Sequence, residues 1–354
     1  MIVWPNQREH SGYVVGITAA VLFGVSAPAS KLLLENVGPQ LLAGLLYLGA
    51  FLAVAPFARF GPARHEARIR RSDAPLLTGL VLSGGIVAPV LLMLGLERVS
   101  GVTGSLLLNL EGPLTLIVGV LILGEYLGRR SWTGSAIVFG AGALLAVQGS
   151  IGNSDALGGV LIVAACLGWA IDNNLTQRLT IRDPFQIVAV KTGIAALVNI
   201  TLALARGDSL ARWTVLAAAL ALGALAYGVS ILLDAYALRL LGAAREAAIF
   251  ATAPFAGALL AIPLLGDAWN VIDLAAAGLM GFGIVMLIAD QHDHVHTHEP
   301  LEHDHRHLHD EHHRHEHEPG VDPSEPHSHS HRHDTLTHAH PHASDVHHRH
   351  SHPA

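Results

Sequence analysis

Three ionisable side chains stand inside long apolar runs, and each requires a chemical reason. Glu111 occurs in Asn109-Leu110-Glu111-Gly112-Pro113, Asp172 in Trp169-Ala170-Ile171-Asp172-Asn173-Asn174-Leu175-Thr176-Gln177, and Lys191 seven residues after Pro184. A charge in the middle of a membrane helix costs about 2.5 to 3.5 kcal/mol on insertion scales, so such residues line pathways or pair with one another. A carboxylate at Glu111 can bind a cation or carry a proton. It can equally be a protonated group bonded across helices. Pro113 withholds an amide and frees the carbonyl of Asn109, so a kink and a backbone oxygen are expected beside it. Thr252, two residues before Pro254, holds the position equivalent to Glu111 in the other half of the chain. Asp172 and Lys191 fall at similar depth on consecutive helices, about 7.5 and about 6 Å from the midplane at about 1.5 Å per residue, so a buried ion pair is geometrically open to them. Asp234 and Glu246 sit near helix ends, where interfacial water makes a structural role the better reading.

A second constellation lies after Asp290. Of the 25 histidines, 23 fall in residues 291 to 354, beginning with His292, His294, His296, His298, His303, His305, His307, His309, His312, His313, His315 and His317. Imidazoles interspersed with carboxylates bind nickel, zinc, cobalt or copper ions. Metal buffering or sensing, incidental binding beside transport of an organic metabolite, and pH sensing by imidazoles that titrate near pH 6.5 all remain open. The segment has few aliphatic residues and cannot bury a core, so it is expected to be disordered without metal.

The elements that position these groups follow from composition. The chain has 354 residues, 51% of them hydrophobic and 14% charged. Residues 1 to 290 carry 17 Lys+Arg against 16 Asp+Glu, and the tail carries 4 Arg against 12 acids, so the two parts have net charges of +1 and −8. No region has the basic excess that nucleic acid binding needs. A bilayer core of about 30 Å takes about 20 apolar residues per helix. Ten such runs occur, at Tyr13–Leu34, Gln40–Phe57, Ala74–Gly95, Gly101–Leu123, Ser131–Gly149, Ala156–Thr176, Phe185–Ala205, Thr214–Tyr236, Ala243–Leu264 and Asn270–Ala289. They lack the alternation of barrel strands. An all-α polytopic membrane protein is implied, multi-pass in the cytoplasmic membrane. With both termini cytoplasmic, 12 Lys and Arg fall on inside segments and 4 on outside loops, the expected bias.

Gly101 and Pro113 are matched by Gly242 and Pro254, both pairs offset by 141, and each apolar stretch that follows ends in Gly-acid, Gly124-Glu125 and Gly266-Asp267. Two five-helix repeats follow, residues 1–149 and 150–290, with 291–354 as the tail. Because five is odd, the second is inverted relative to the first. The stretches LGLERVSGVTGSLLLNLEGPLTLIVGVLILGEYLGRRSWTG and YALRLLGAAREAAIFATAPFAGALLAIPLLGD resemble the drug/metabolite transporter superfamily and, within it, the EamA-type proteins with ten spans. WAIDNNLTQRL in the sixth span, together with a His-rich tail, looks like one subgroup of that family. The resemblance covers about residues 13 to 289. It departs from the family at Leu46, which stands seven residues after Pro39 where the family often has a base, whereas Lys191 follows Pro184 as expected.

The expected activity is secondary transport of a small solute, with export one expected direction and Glu111, Asn109, Asp172, Asn173, Lys191 and Thr252 along the pathway. The alternatives are a transition-metal cation transporter and a membrane-anchored metal sensor or store. No nucleotide-binding loop of the G-x-x-x-x-G-K-[ST] type occurs, no cofactor is required, and an enzyme is not expected. The expected partners are the lipid bilayer, a small-molecule or metal-ion substrate and a second copy in a homodimer. Cys166, the single cysteine, reads as a packing residue, as do Gly140, Gly278 and Gly283.

Overall fold

Apolar runs rich in Leu and Ala leave the backbone no partner but itself in a low-dielectric medium, and helices result. The computed structural model describes residues 7–60, 67–123, 127–151, 156–179, 182–210 and 212–289, and tail segments 292–298, 301–307, 327–333 and 336–342. Among the described residues nine helical spans are long and apolar enough to cross a membrane: α1 (His10–Leu34), α2 (Pro39–Phe60), α3 (Arg71–Leu96), α4 (Gly101–Ile122), α6 (Ala156–Gln177), α7 (Pro184–Ala205), α8 (Trp213–Leu238), α9 (Arg245–Leu265) and α10 (Val271–Ile288). Between α4 and α6 runs α5 (Arg129–Ile151), 23 residues long, which packs along α10 and brings the described helices to the ten expected.

Local chemistry sets the ends. Ser100 accepts from the Thr103 amide ahead of α4, and Asp183 accepts from the amides of Phe185 and Gln186 ahead of α7. Asn270 and Asp273 cap each other's backbone ahead of α10. Gly266 ends α9 with a φ of 72°, a left-handed conformation that glycine adopts without penalty.

The halves interlock. The third helix of each packs on the first two of the other: α3 lies on α6 and α7, and α8 lies on α1 and α2. Second helices α2 and α7 lie together, as do α4 with α9 and α5 with α10. Close approach is needed where α2 meets α8: a Cβ at Gly49 would strike the Leu220 carbonyl, and one at Gly223 the Leu46 carbonyl. Gly283 likewise lies against the Gly134 carbonyl, as its packing reading requires. Gly140 and Gly278 have open space where a Cβ would stand, so their packing reading does not hold.

Both third helices widen at corresponding places into π-helical turns, Val81–Val87 in α3 and Ala224–Val229 in α8. A wide turn loosens the regular hydrogen-bond ladder and frees carbonyls for side chains. In the tail, β1 (His292–His298) pairs antiparallel with β4 (Leu336–His342), and β2 (Leu301–His307) with β3 (His327–His333).

Candidate substrate site between the halves

Helix α6 distributes three adjacent side chains over three partners. Asn173 donates from Nδ2 to Glu111 Oε1 at 2.9 Å and lies 3.4 Å from Thr115 Oγ1. Asn174 donates to the Thr115 carbonyl at 2.9 Å and to the Ala170 carbonyl at 2.8 Å, tying α6 to α4. Asp172 accepts at Oδ2 from Lys191 Nζ at 2.7 Å and at Oδ1 from Thr176 at 3.2 Å. The two side chains of this pair are 3% and 19% exposed, so the charges are removed from bulk water together.

Gly84, in the π turn of α3, makes room for Asp172, since a Cβ there would collide with the carboxylate. Its carbonyl accepts from Tyr47 Oη at 2.7 Å and from Trp169 Nε1 at 3.0 Å. Tyr47 lies within electrostatic reach of Glu111, Asp172 and Tyr227. A row of rings then runs across four helices: Tyr47 to Tyr227 with centroids 6.1 Å apart, Tyr227 to Phe23 at 5.8 Å, and Phe23 to Phe250 at 5.1 Å.

Helix α4 changes character at Glu111. From Gly101 to Leu110 every residue is buried except Thr103, which is half-buried. A 3-10 turn over Leu108–Leu110 comes next, as the proline two residues beyond Glu111 leads one to expect. Glu111 itself lies deep in the bundle yet is only half-buried, Asn173 and Gly112 are exposed, and a Cβ at Gly112 would meet nothing within 4 Å. The helix surface around the carboxylate is therefore accessible on the side of Gly112 and Asn173. Beyond it, Glu111–Val118 packs on α6, while Ala243–Phe250 of α9 packs on α1 and α8.

The buried end of α4 is held across the halves. Asp267 Oδ2 accepts from the Val102 amide at 3.1 Å, Lys31 Nζ donates to the Leu96 carbonyl at 2.7 Å, and Lys31 is within electrostatic reach of Asp267. A carboxylate at a helix N-terminus and an ammonium at a helix C-terminus both suit the helix dipole. A Cβ at Gly257 of α9 would meet the Gly24 carbonyl and the Ser105 hydroxyl. At the arginine-rich end, Arg182 grips Asp73 with two nitrogens, at 2.9 and 3.3 Å.

Glu111, Asn173, Asp172 and Lys191 are therefore brought together. Asn109 is not: its side chain is buried, donates to the Leu106 carbonyl at 3.0 Å and lies 3.8 Å from Met280 Sδ on α10. Thr252 is exposed and bonds back to the Ile249 carbonyl at 2.6 Å, with no described bond to Glu111. Asp234 and Glu246 hydrogen-bond to each other. Cys166 is buried, as a packing residue should be. Thr115, Tyr47 and Tyr227 escaped the sequence reading, although Thr115 stands one helical turn after Glu111 and both tyrosines lie in mid-run, away from the interfaces where tyrosine usually collects. Among the described residues no cluster of three His, Cys, Asp or Glu could hold a metal ion. Of the tail histidines, His292, His294, His296, His298, His303, His305 and His307 lie in β1 and β2. His309, His312, His313, His315 and His317 fall outside the described residues, as do Gly124 and Glu125.

Ten interlocked apolar helices around a central polar cluster define a polytopic helical membrane protein. The chain belongs to the EamA-like transporter family, whose model matches it twice, over residues 10–147 and 156–289. It is 28% identical over 300 residues to an uncharacterized transporter of Methanothermobacter thermautotrophicus, an alignment covering 79% of this chain and 87% of that protein. A solved crystal structure of a protein superposes with a TM-score of 0.56 at 18% identity, covering 78% of this chain and 96% of that one, which supports the fold. The protein is thus a membrane transporter.

Proposed function

We propose that the protein is a secondary transporter that moves a small solute across the cytoplasmic membrane, with both termini cytoplasmic and Glu111 as the group that couples solute to a proton gradient. The observation that carries this reading is the position of Glu111, at the point where α4 passes from fully buried to accessible. A carboxylate there is open to one side and sealed from the other. Asn173 orients it, while the Asp172–Lys191 pair is internally neutralised and holds α6 against α7. The histidine tail adds a metal-binding regulatory segment. Its strand register sets His opposite His at three rungs of each ladder, such as His294 with His340 and His305 with His329. Uptake of labelled solutes, an amino-acid panel and metal ions into proteoliposomes, with and without a proton gradient, tests the reading. Glu111→Gln should keep the fold and abolish gradient-driven flux. Full gradient-driven uptake by that variant removes Glu111 from the mechanism.

A further inference from the structure

Glu111 stands where α4 changes its winding, and α6 holds the α4 backbone on both sides of that point. In a regular helix the Glu111 amide would bond to the Leu107 carbonyl. Here it bonds to the Leu108 carbonyl in the 3-10 turn, which leaves the Leu107 oxygen without its helical donor. The Cys166 thiol takes the vacated place, with Sγ 3.7 Å from the Leu107 oxygen, and the Glu111 amide also hydrogen-bonds to the sulfur. One turn beyond Glu111, Asn174 donates to the Thr115 carbonyl at 2.9 Å, and the Thr115 hydroxyl donates to the Glu111 carbonyl at 2.9 Å. Both anchors are buried, Cys166 at 0% exposed and Asn174 at 4%.

Spacing makes one device of these contacts. Cys166, Ala170, Asn173 and Asn174 fall at i, i+4, i+7 and i+8, a single face of α6. Between the two anchors Asn173 meets the carboxylate at 2.9 Å. A hydrogen bond weakens steeply as its distance and angle degrade, so that contact holds only while the two helices keep their register. Packing alone would not need the anchors, since an alanine fills most of the space of Cys166 and a leucine that of Asn174. Neither would hold a carbonyl of α4.

We propose that Cys166 and Asn174 are positioning residues for Glu111: they clamp α4 to α6 through the carbonyls of Leu107 and Thr115 and so fix the contact between Asn173 and the carboxylate. Neither side chain touches the carboxylate itself. The inference deepens the reading of Glu111 as the proton-coupling group and rests on that reading for its functional meaning. The other titratable groups within electrostatic reach of Glu111 are Asp172 on α6, Lys191 on α7, Tyr47 on α2 and Tyr227 on α8, and the clamp leaves all four in place.

Infrared difference spectroscopy of the full chain in lipid vesicles, taken across pH, tests the clamp without a solute. The band lost in Glu111→Gln identifies the Glu111 carboxyl group. Cys166 is the only cysteine, so the S–H stretch belongs to it alone and should lie at the lowered frequency of a hydrogen-bonded thiol. Cys166→Ala and Asn174→Leu should each move the pH midpoint of the Glu111 band by about one unit, the effect of weakening one hydrogen bond to a charged group. Cys166→Ser, whose hydroxyl can donate to Leu107 and accept from Glu111, should keep the wild-type midpoint. Ile162→Ala, which empties a buried site packed against Gly95 and Gly104 farther along α6, should lower the melting temperature and leave the midpoint alone. If Asn174→Leu does not fold, Cys166→Ala, which removes only a sulfur, decides. An unmoved midpoint in Cys166→Ala or Asn174→Leu, failure of serine to keep it, an equal shift in Ile162→Ala, or an S–H stretch at the frequency of an unbonded thiol each overturns the proposal. A Glu111 carboxylate band that never titrates would overturn proton coupling alone. The frequency of that band in Cys166→Ala, shifted or unshifted, would then decide the clamp.

Discussion

At the scale of single residues, the Asp172–Lys191 pair shows why charges persist in an apolar bundle. Each would cost several kcal/mol alone, and together they satisfy one another at 2.7 Å with Thr176 bonded to the second carboxylate oxygen. Removing one partner leaves the other buried and unpaired. Asp172→Ala or Lys191→Met should each destabilise the protein by about 3 to 5 kcal/mol, and the double variant by less than the sum. Thermal unfolding in detergent across the four proteins measures the coupling, and purely additive losses would sink the pairing. The charges themselves were legible, because acids and bases in apolar runs stand out in any sequence. That Asn173 would meet Glu111 was not legible, since α6 carries polar groups over more than one face and only packing decides which face meets α4.

At the scale of elements, the π turn of α3 and the buried end of α4 position the groups around Glu111. Gly84 leaves room for Asp172 and offers its carbonyl to two rings, so Gly84→Ala should displace the carboxylate and loosen Tyr47 and Trp169. Overpacking of that kind costs about 1 to 3 kcal/mol. In a background with the other four tryptophans replaced by Phe, a lowered melting temperature with Trp169 emission and its quenching by solutes left unchanged would argue against the displacement, and a shifted Trp169 signal would support it. The Asp267 carboxylate holds the Val102 amide in the first turn of α4 from the other half. Asp267→Ala should therefore loosen that end. In a Cys166→Ala background, Ser105→Cys, at a position now fully buried, should be labelled by a thiol reagent faster once Asp267 is replaced. Equal labelling rates would show that Asp267 does not hold the seal. Glycine and proline punctuation made the helix ends readable, whereas the π turns left no trace, because widening a turn depends on neighbours that are distant in sequence.

At the scale of the whole molecule, two compositions follow one another at Asp290. The family match ends at residue 289, and the tail's described strands pair among themselves. Removal of residues 291 to 354 should leave the bundle folded, with an unchanged melting temperature, and should reduce bound nickel or zinc to near zero by elemental analysis. Several tightly bound ions in the truncated protein would place the metal site in the bundle.

The sequence by itself determined the number of helices and which of them carry charges, because apolar length and residue type are local quantities read along one chain. Only the tertiary structure decided that Asn109 turns into the core against Met280 while Asn173 turns to Glu111, and that the third helix of each half crosses to pack on the other. In a medium as apolar as the helices themselves, hydrophobicity does not choose which faces meet. Close fits such as Gly49 and Gly223 against facing carbonyls, and a few bonds such as Lys191 to Asp172, make that choice, and those partners are far apart in the chain.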